Sequence, residues 1–226
     1  MNFKELFKTL IAALLVFLCF IAANWQYQRG VNRHAKNFKI EANVKKAEIP
    51  LQEVSNFQEN EWRSITVTGN FDPNHEVLLR NHYNADGKYG FEYLTLFKAN
   101  LNSKTVSFWV DRGWVQAGAT ATARPTTPIT PTQTIRLIGR LRLDNSLPRG
   151  SFFALPANGE LISSWNLKSK VKTENFYIDL ISADGITPKD PAELPELSDG
   201  PHMAYALQWI FFAGLVIYGR ILIRKR

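Results

Sequence analysis

Residues 203–223 hold a single charge, Arg220, within an otherwise apolar stretch, and they are long enough to cross a bilayer, which takes about 20 residues of helix. Arg220 lies near the end of the run, where its long stem can carry the guanidinium to the interface. Arg224, Lys225 and Arg226 follow without an acid. Basic residues flanking a span stay on the cytoplasmic side, so 224–226 is expected to be a cytoplasmic tail. The start of the chain mirrors this pattern: Lys4 and Lys8 in an expected cytoplasmic segment, 1–8, precede an uncharged run, 9–28, whose centre is almost purely apolar. A cleaved signal peptide is the competing reading of that run. Residues 20–24 offer no clean small-x-small cleavage site, and Leu18 precedes Cys19 where a lipoprotein signal has a small residue, so an uncleaved anchor is expected. Trp25 and Tyr27 then stand where interfacial aromatics belong. Two spans put both termini in the cytoplasm and 29–202 outside it, which predicts a multi-pass protein of the cell (inner or plasma) membrane. Arg29, Arg33, His34 and Lys36 follow the first span on the outer side, but a segment this long translocates largely regardless of its charge.

This topology also accounts for the net charge of +7. Residues 1–27 carry +1 and residues 203–226 carry +4, leaving +2 for the middle. A near-neutral outer domain argues against a nucleic-acid partner and leaves membrane lipid as the partner of the basic ends. Cys19 is the one cysteine, so no internal disulfide and no paired-thiol copper or redox site can form. His34, His75, His82 and His202 lack metal-ligand spacing. The nucleophile elbow, phosphate loop, dinucleotide fingerprint and zinc-protease helix are all missing. The chain is therefore not expected to be an enzyme.

Between the spans the periodicity changes once. Residues 29–54 have few breakers before Pro50, which predicts that the first helix continues out of the membrane and ends ahead of that proline. From Glu61 onward the pattern has period two. Strands are predicted over 63–69, 76–81, 91–97, 105–115, 134–143 and 176–181, with turns at Asp72-Pro73-Asn74, Asn84-Ala85-Asp86-Gly87 and Asn102-Ser103. Residues 117–133, rich in Thr, Ala and Pro, read as a loop that needs no fixed structure; 155–172 is ambiguous; 185–201 reads as an extended tether back to the membrane. The expected fold is thus two transmembrane helices, N- and C-terminal, flanking a mainly-β extracytoplasmic domain, an antiparallel barrel or sandwich with some α.

Three groups of residues are candidate sites. On 134–143, Arg136, Arg140 and Arg142 alternate with Ile135, Leu137 and Leu141, either an anion-binding ridge or the solvated face of an edge strand. In Val110-Asp111-Arg112-Gly113-Trp114-Val115, the charged pair either faces a ligand or closes a strand-end ion pair with a bulge at Gly113. At the outer membrane edge, Trp25, Arg29 and Arg33 share one helical face, and His202, Tyr205, Ala206 and Trp209 share another. These are either an interfacial aromatic and basic belt, or two adjacent helices offering an imidazole to a metal and guanidinium groups to carboxylates, as a haem and its propionates require.

Five ordered blocks resemble the Surfeit locus protein one (Shy/Surf) family of cytochrome c oxidase assembly factors. They are Trp25-Gln26-x-x-Arg29; Trp62-Arg63-x-x-x-Val67-x-Gly69-x-Phe71; Val110-Asp111-Arg112-Gly113-Trp114-Val115; Gly139-Arg140; and His202-x-x-Tyr205-Ala206-x-Gln208-Trp209. Ala23, Arg33 and Thr95-Leu96 depart from the family pattern, and 157–172 matches it poorly. The resemblance implies an assembly factor in cytochrome c oxidase biogenesis and the respiratory chain, a chaperone that holds or delivers haem a to subunit I, with haem A synthase as a further partner. It makes His202 the candidate axial ligand of the haem iron; Arg29 and Arg33 as partners of the propionates, with Tyr205 and Trp209 beside the histidine, are inferred from the two helical faces and not from the resemblance. The alternative is a structural scaffold that steadies an oxidase assembly intermediate without binding haem.

Overall fold

The computed structural model describes residues 3–84, 86–120, 122–147, 152–155, 163–164 and 171–225, without the side chains of Asn81, Ser163, Ser164 and Lys225. Arg226 and most of 155–172 lie outside the described residues. The chain divides into two units, one of Met1–Glu41 with Glu196–Arg226 and one of Ala42–Pro195.

The first unit is an antiparallel helix pair. Helix α1 (Phe3–Lys45) runs through the first apolar segment and, with only Gly30 as a breaker, continues to the residues ahead of Pro50, as the sequence predicts. Helix α2 (His202–Lys225) begins where Pro201 stops the extended chain, and the Pro201 carbonyl accepts its first bond, from the Tyr205 N–H at 3.0 Å. Both helices are long and apolar enough to cross a membrane. Their large side chains, Leu10 and Phe211 among them, are exposed, and the buried residues include the small Ala23, Ala206 and Ala213. Small residues let helices approach closely where apolar side chains gain little by leaving an apolar solvent. Arg220, the one charge of the second run, reaches Glu5 Oε2 at 2.9 Å and Thr9 Oγ1 at 2.8 Å on α1.

The second unit is a barrel. Strands β1 (Ile49–Pro50), β2 (Ser64–Tyr83), β3 (Tyr89–Leu101), β4 (Lys104–Gln116), β5 (Ile135–Leu143), β6 (Phe152–Ala154), β7 (Ser163–Ser164) and β8 (Phe176–Ala183) form one sheet. It closes on itself in the order β2-β3-β4-β8-β5-β2. The remaining strands hang on β2: β6, followed by β7, continues from its second half, and β1 lies parallel to its start. Closure leaves the five ring strands without a free edge over their paired lengths. The interior holds Ile65, Val67, Phe97, Phe108, Val110, Leu137, Leu141 and Ile178, the inward set of each alternating run. Helical structure wholly within this unit is confined, among the described residues, to single turns at Leu51–Glu53 and Asp144–Ser146.

Four expectations are corrected. Asp72-Pro73-Asn74 is no turn but a bulge within β2: pairing with β3 passes from Asp72 opposite Leu96 to Glu76 opposite Thr95. The Asp72 carboxylate accepts from the Asn74 N–H at 3.0 Å, and Pro73, which has no N–H to give a ladder, falls where the ladder is interrupted. Strand β5 is not an edge strand, because β2 and β8 pair with it on either side. The sheet is mixed, since β4 and β8 run parallel at Trp109 opposite Tyr177. Finally, the loop 117–133 is held near its end, where Arg112 donates to Thr130 Oγ1 at 2.5 Å and to the Ile129 carbonyl at 3.0 Å.

Candidate functional site

The helix pair brings Gln26 and Gly30 of α1 against His202 and Met203 at the start of α2. The two helices run close at Gly30: a Cβ there would stand 3.3 Å from His202 Cβ and 3.1 Å from Met203 Cε, so a larger residue would press on both side chains. One turn earlier on α1, Gln26 reaches His202, with Nδ1 and Oε1 3.0 Å apart. Gln26, Arg29, Gly30 and Arg33 are spaced i, i+3, i+4 and i+7, which is one stripe of a helix. Of the two arginines predicted for the site, Arg33 reaches the chain ahead of α2, and the Arg29 guanidinium lies over the Trp25 ring of its own helix at 5.1 Å.

The chain leading into α2 is pinned to the same helix. Arg33 Nε donates to the Ser198 carbonyl at 2.5 Å, His34 Nδ1 meets Asp199 Oδ2 at 2.7 Å, and Asn37 donates to Asp199 Oδ1 at 3.1 Å. The His34 hydrogen bond is the main cause that holds the Asp199 carboxyl below its ordinary range, with Asn37 and the Arg33 charge adding to it. Gly200 takes the turn at φ +67°. His202 itself is half-buried, and Tyr205 and Trp209, three and seven residues further along α2, are exposed. Gln26 and Gly30 were not predicted as site residues. Gln26 stands in the Trp-Gln-x-x-Arg block, but nothing in the sequence pairs it with a residue at the other end of the chain.

The central motif has a different role. Glycine is required at position 113, where φ is +98° and a Cβ would come 2.2 Å from the Asp190 carbonyl oxygen. The same oxygen accepts from the Trp114 N–H at 2.8 Å, and Arg140 donates to the Ala192 carbonyl at 3.1 Å. The motif thus seats the first part of the tether. Asp111 and Arg112 do not pair with each other. Asp111 accepts from the Gly113 N–H at 2.9 Å, while Arg112 lies 5.0 Å from the rings of Phe71 and Tyr93. The predicted bulge is present, because Arg112 and Gly113 together face Tyr93 across the ladder.

Behind the tether lies a cavity of about 630 Å³ lined by Glu92, Asp111, Asp179, Arg142 and Tyr177 among others. Burial, with the charges of Glu92 and Asp179 adding to it, pushes the Asp111 carboxyl well up. Burial also raises Asp179, against the pull of Arg142, whose NH1 donates to it at 2.8 Å. The Arg142 guanidinium lies 3.5 Å from the centre of the Trp62 ring. The predicted arginine ridge is thus divided between internal partners: Arg136 to Glu48, Arg140 to the tether, Arg142 to Asp179. Among the described residues no group of three His, Cys, Asp or Glu side chains could hold a metal ion.

The family model for the SURF1 family matches residues 13–214, a range that contains all of these contacts except those of Arg220 with Glu5 and Thr9. Uncharacterised SURF1-like proteins of Mycobacterium bovis and Mycobacterium tuberculosis are 27% identical over 237 residues, covering 96% of this chain and 84% of each relative.

Proposed function

The chain belongs to the SURF1 family, whose members are associated with cytochrome c oxidase assembly, and we propose that it is a membrane-anchored, non-enzymatic assembly factor that holds haem a at His202 for delivery to oxidase subunit I. In this reading α1 and α2 cross the cell membrane with both termini cytoplasmic, and the barrel lies outside. The observation that carries the proposal is the setting of His202, an imidazole bonded at one nitrogen and half-exposed at the foot of an apolar helix.

A porphyrin supplies four of its iron's ligands itself, so one axial imidazole is a sufficient contribution from the protein. Arg29 and Arg33, one and two turns beyond Gln26 on α1, suit carboxylates such as the propionates of a haem. Tyr205 and Trp209 offer exposed rings for the macrocycle to pack on. When bound, the haem supplies a Lewis-acidic iron; the protein's part is to hold and orient it. A carrier must also release its cargo, and a site with one ligand on the outer face of a helix pair permits that. Haem A synthase, as donor, and subunit I, as acceptor, are the partners this role requires.

The test is the absorption spectrum of the protein purified in detergent from cells that make haem A. The wild type should carry a haem a spectrum that His202→Ala loses while its circular dichroism is unchanged. A colourless wild type on which oxidase assembly nevertheless depends would establish the scaffold instead.

A further inference from the structure

The ring of His202 is fixed through one nitrogen, and the partner atom decides which hydrogen the ring carries. Gln26 Oε1 lies 3.0 Å from Nδ1. An amide oxygen only accepts, so the hydrogen of that bond sits on Nδ1, and in the neutral ring Nε2 keeps the lone pair. Both sides of this contact are set by the fold. Gly30, one turn beyond Gln26, brings the backbone of α1 against His202 and Met203. The chain ahead of His202 is held to α1 through Ser198 and Asp199. Gln26 and the imidazole are therefore placed opposite each other by contacts on either side of them.

We infer that Gln26 is the positioning residue of this site, holding His202 in the Nδ1–H tautomer so that Nε2 is the atom presented to a metal. The inference rests on the haem reading above for the identity of the ligand, but the tautomer is a property of the chain alone. A ligating histidine usually donates its second N–H to a carbonyl or carboxylate. That partner fixes the tautomer and raises the basicity of the ligating nitrogen, and its loss costs about 10–100-fold in affinity. If the Gln26 amide were turned the other way, it would donate to Nδ1, the hydrogen would move to Nε2, and the ring could not ligate from that atom. The tautomer is thus the decisive observable.

The experiment uses the full chain in detergent with 15N-labelled histidine and no haem, at a pH of about 8.5 where an ordinary imidazole is neutral. The His202 signals are identified by their loss in His202→Ala. The wild type should show the Nδ1–H form, Gln26→Leu should show the Nε2–H form, and Gln26→Glu, which keeps an acceptor, should retain Nδ1–H. Titration with haemin should then give a Kd weakened by about 10–100-fold in Gln26→Leu and not in Gln26→Glu. An Nε2–H wild type, or a tautomer that ignores Gln26→Leu, overturns the inference. A wild type that fails to take up haemin while its tautomer responds to Gln26 overturns the haem reading and leaves the positioning intact.

Discussion

At the scale of single residues, Gly113 and Asp111 of the barrel show how a side chain, or its absence, decides the energy. Gly113, at φ +98° with the Asp190 carbonyl 2.2 Å from its missing Cβ, cannot become alanine without strain and a displaced tether. Gly113→Ala should lose about 1–3 kcal/mol, read as a lower thermal midpoint. Asp111 acts through its proton. Burial, then Glu92 and Asp179, raises its carboxyl, so the native chain keeps a proton that the unfolded chain releases from about pH 4. Stability then falls as pH rises from the unfolded toward the folded value. Asp111→Asn, which keeps an oxygen for the Gly113 N–H, should remove this loss. Urea midpoints at about pH 4 and about pH 7 should show the variant gaining on the wild type between them. The motif around these residues stands out in the sequence because a charged pair interrupts an apolar strand. Its partners do not, since Asp179 and Asp190 come from distant segments that only barrel closure brings alongside β4.

Among the elements, the strands were the most legible, because alternation of Ile, Val, Phe and Leu with polar residues records burial directly. The six predicted runs fall on five strands of the sheet, since 63–69 and 76–81 are both parts of β2, and Arg63 and Thr134 stand one residue outside theirs. What alternation cannot record is pairing, and this is why Asp72-Pro73-Asn74 read as a turn and β5 as an edge. Closure also changes what the arginines of β5 do. Arg142 partners Asp179, whose side chain is 2% exposed, and removing one member of such a pair leaves an uncompensated buried charge. Arg142→Met should cost about 3–5 kcal/mol in urea unfolding. The segment ahead of α2 behaves in the opposite way with pH. Asp199 is held low, chiefly by His34, so its contribution is full above about pH 4 and is lost as the pH falls through its folded value. Asp199→Ala should speed hydrogen exchange at the Gly200 amide near neutral pH, and acid should do the same in the wild type.

For the whole molecule, two apolar runs at opposite ends of the sequence frame everything else, and the helix pair they form sets His202 beside Gln26. The helices and the family were readable from composition and five short blocks. The candidate site was readable only in part: helical spacing and resemblance single out His202, Arg29 and Arg33 as candidates, whereas the contact of Gln26 with His202 emerges only when α1 and α2 are laid together, a long-range register that no local pattern encodes. In the proposed role, this setting makes His202 the haem a ligand of an oxidase assembly factor. The most direct test of that role is the haem a content of the oxidase in cells lacking this chain, complemented with wild type or His202→Ala at equal membrane levels. The wild type should restore the haem a content and His202→Ala should leave the oxidase deficient in haem a; full restoration by His202→Ala would overturn the proposed role.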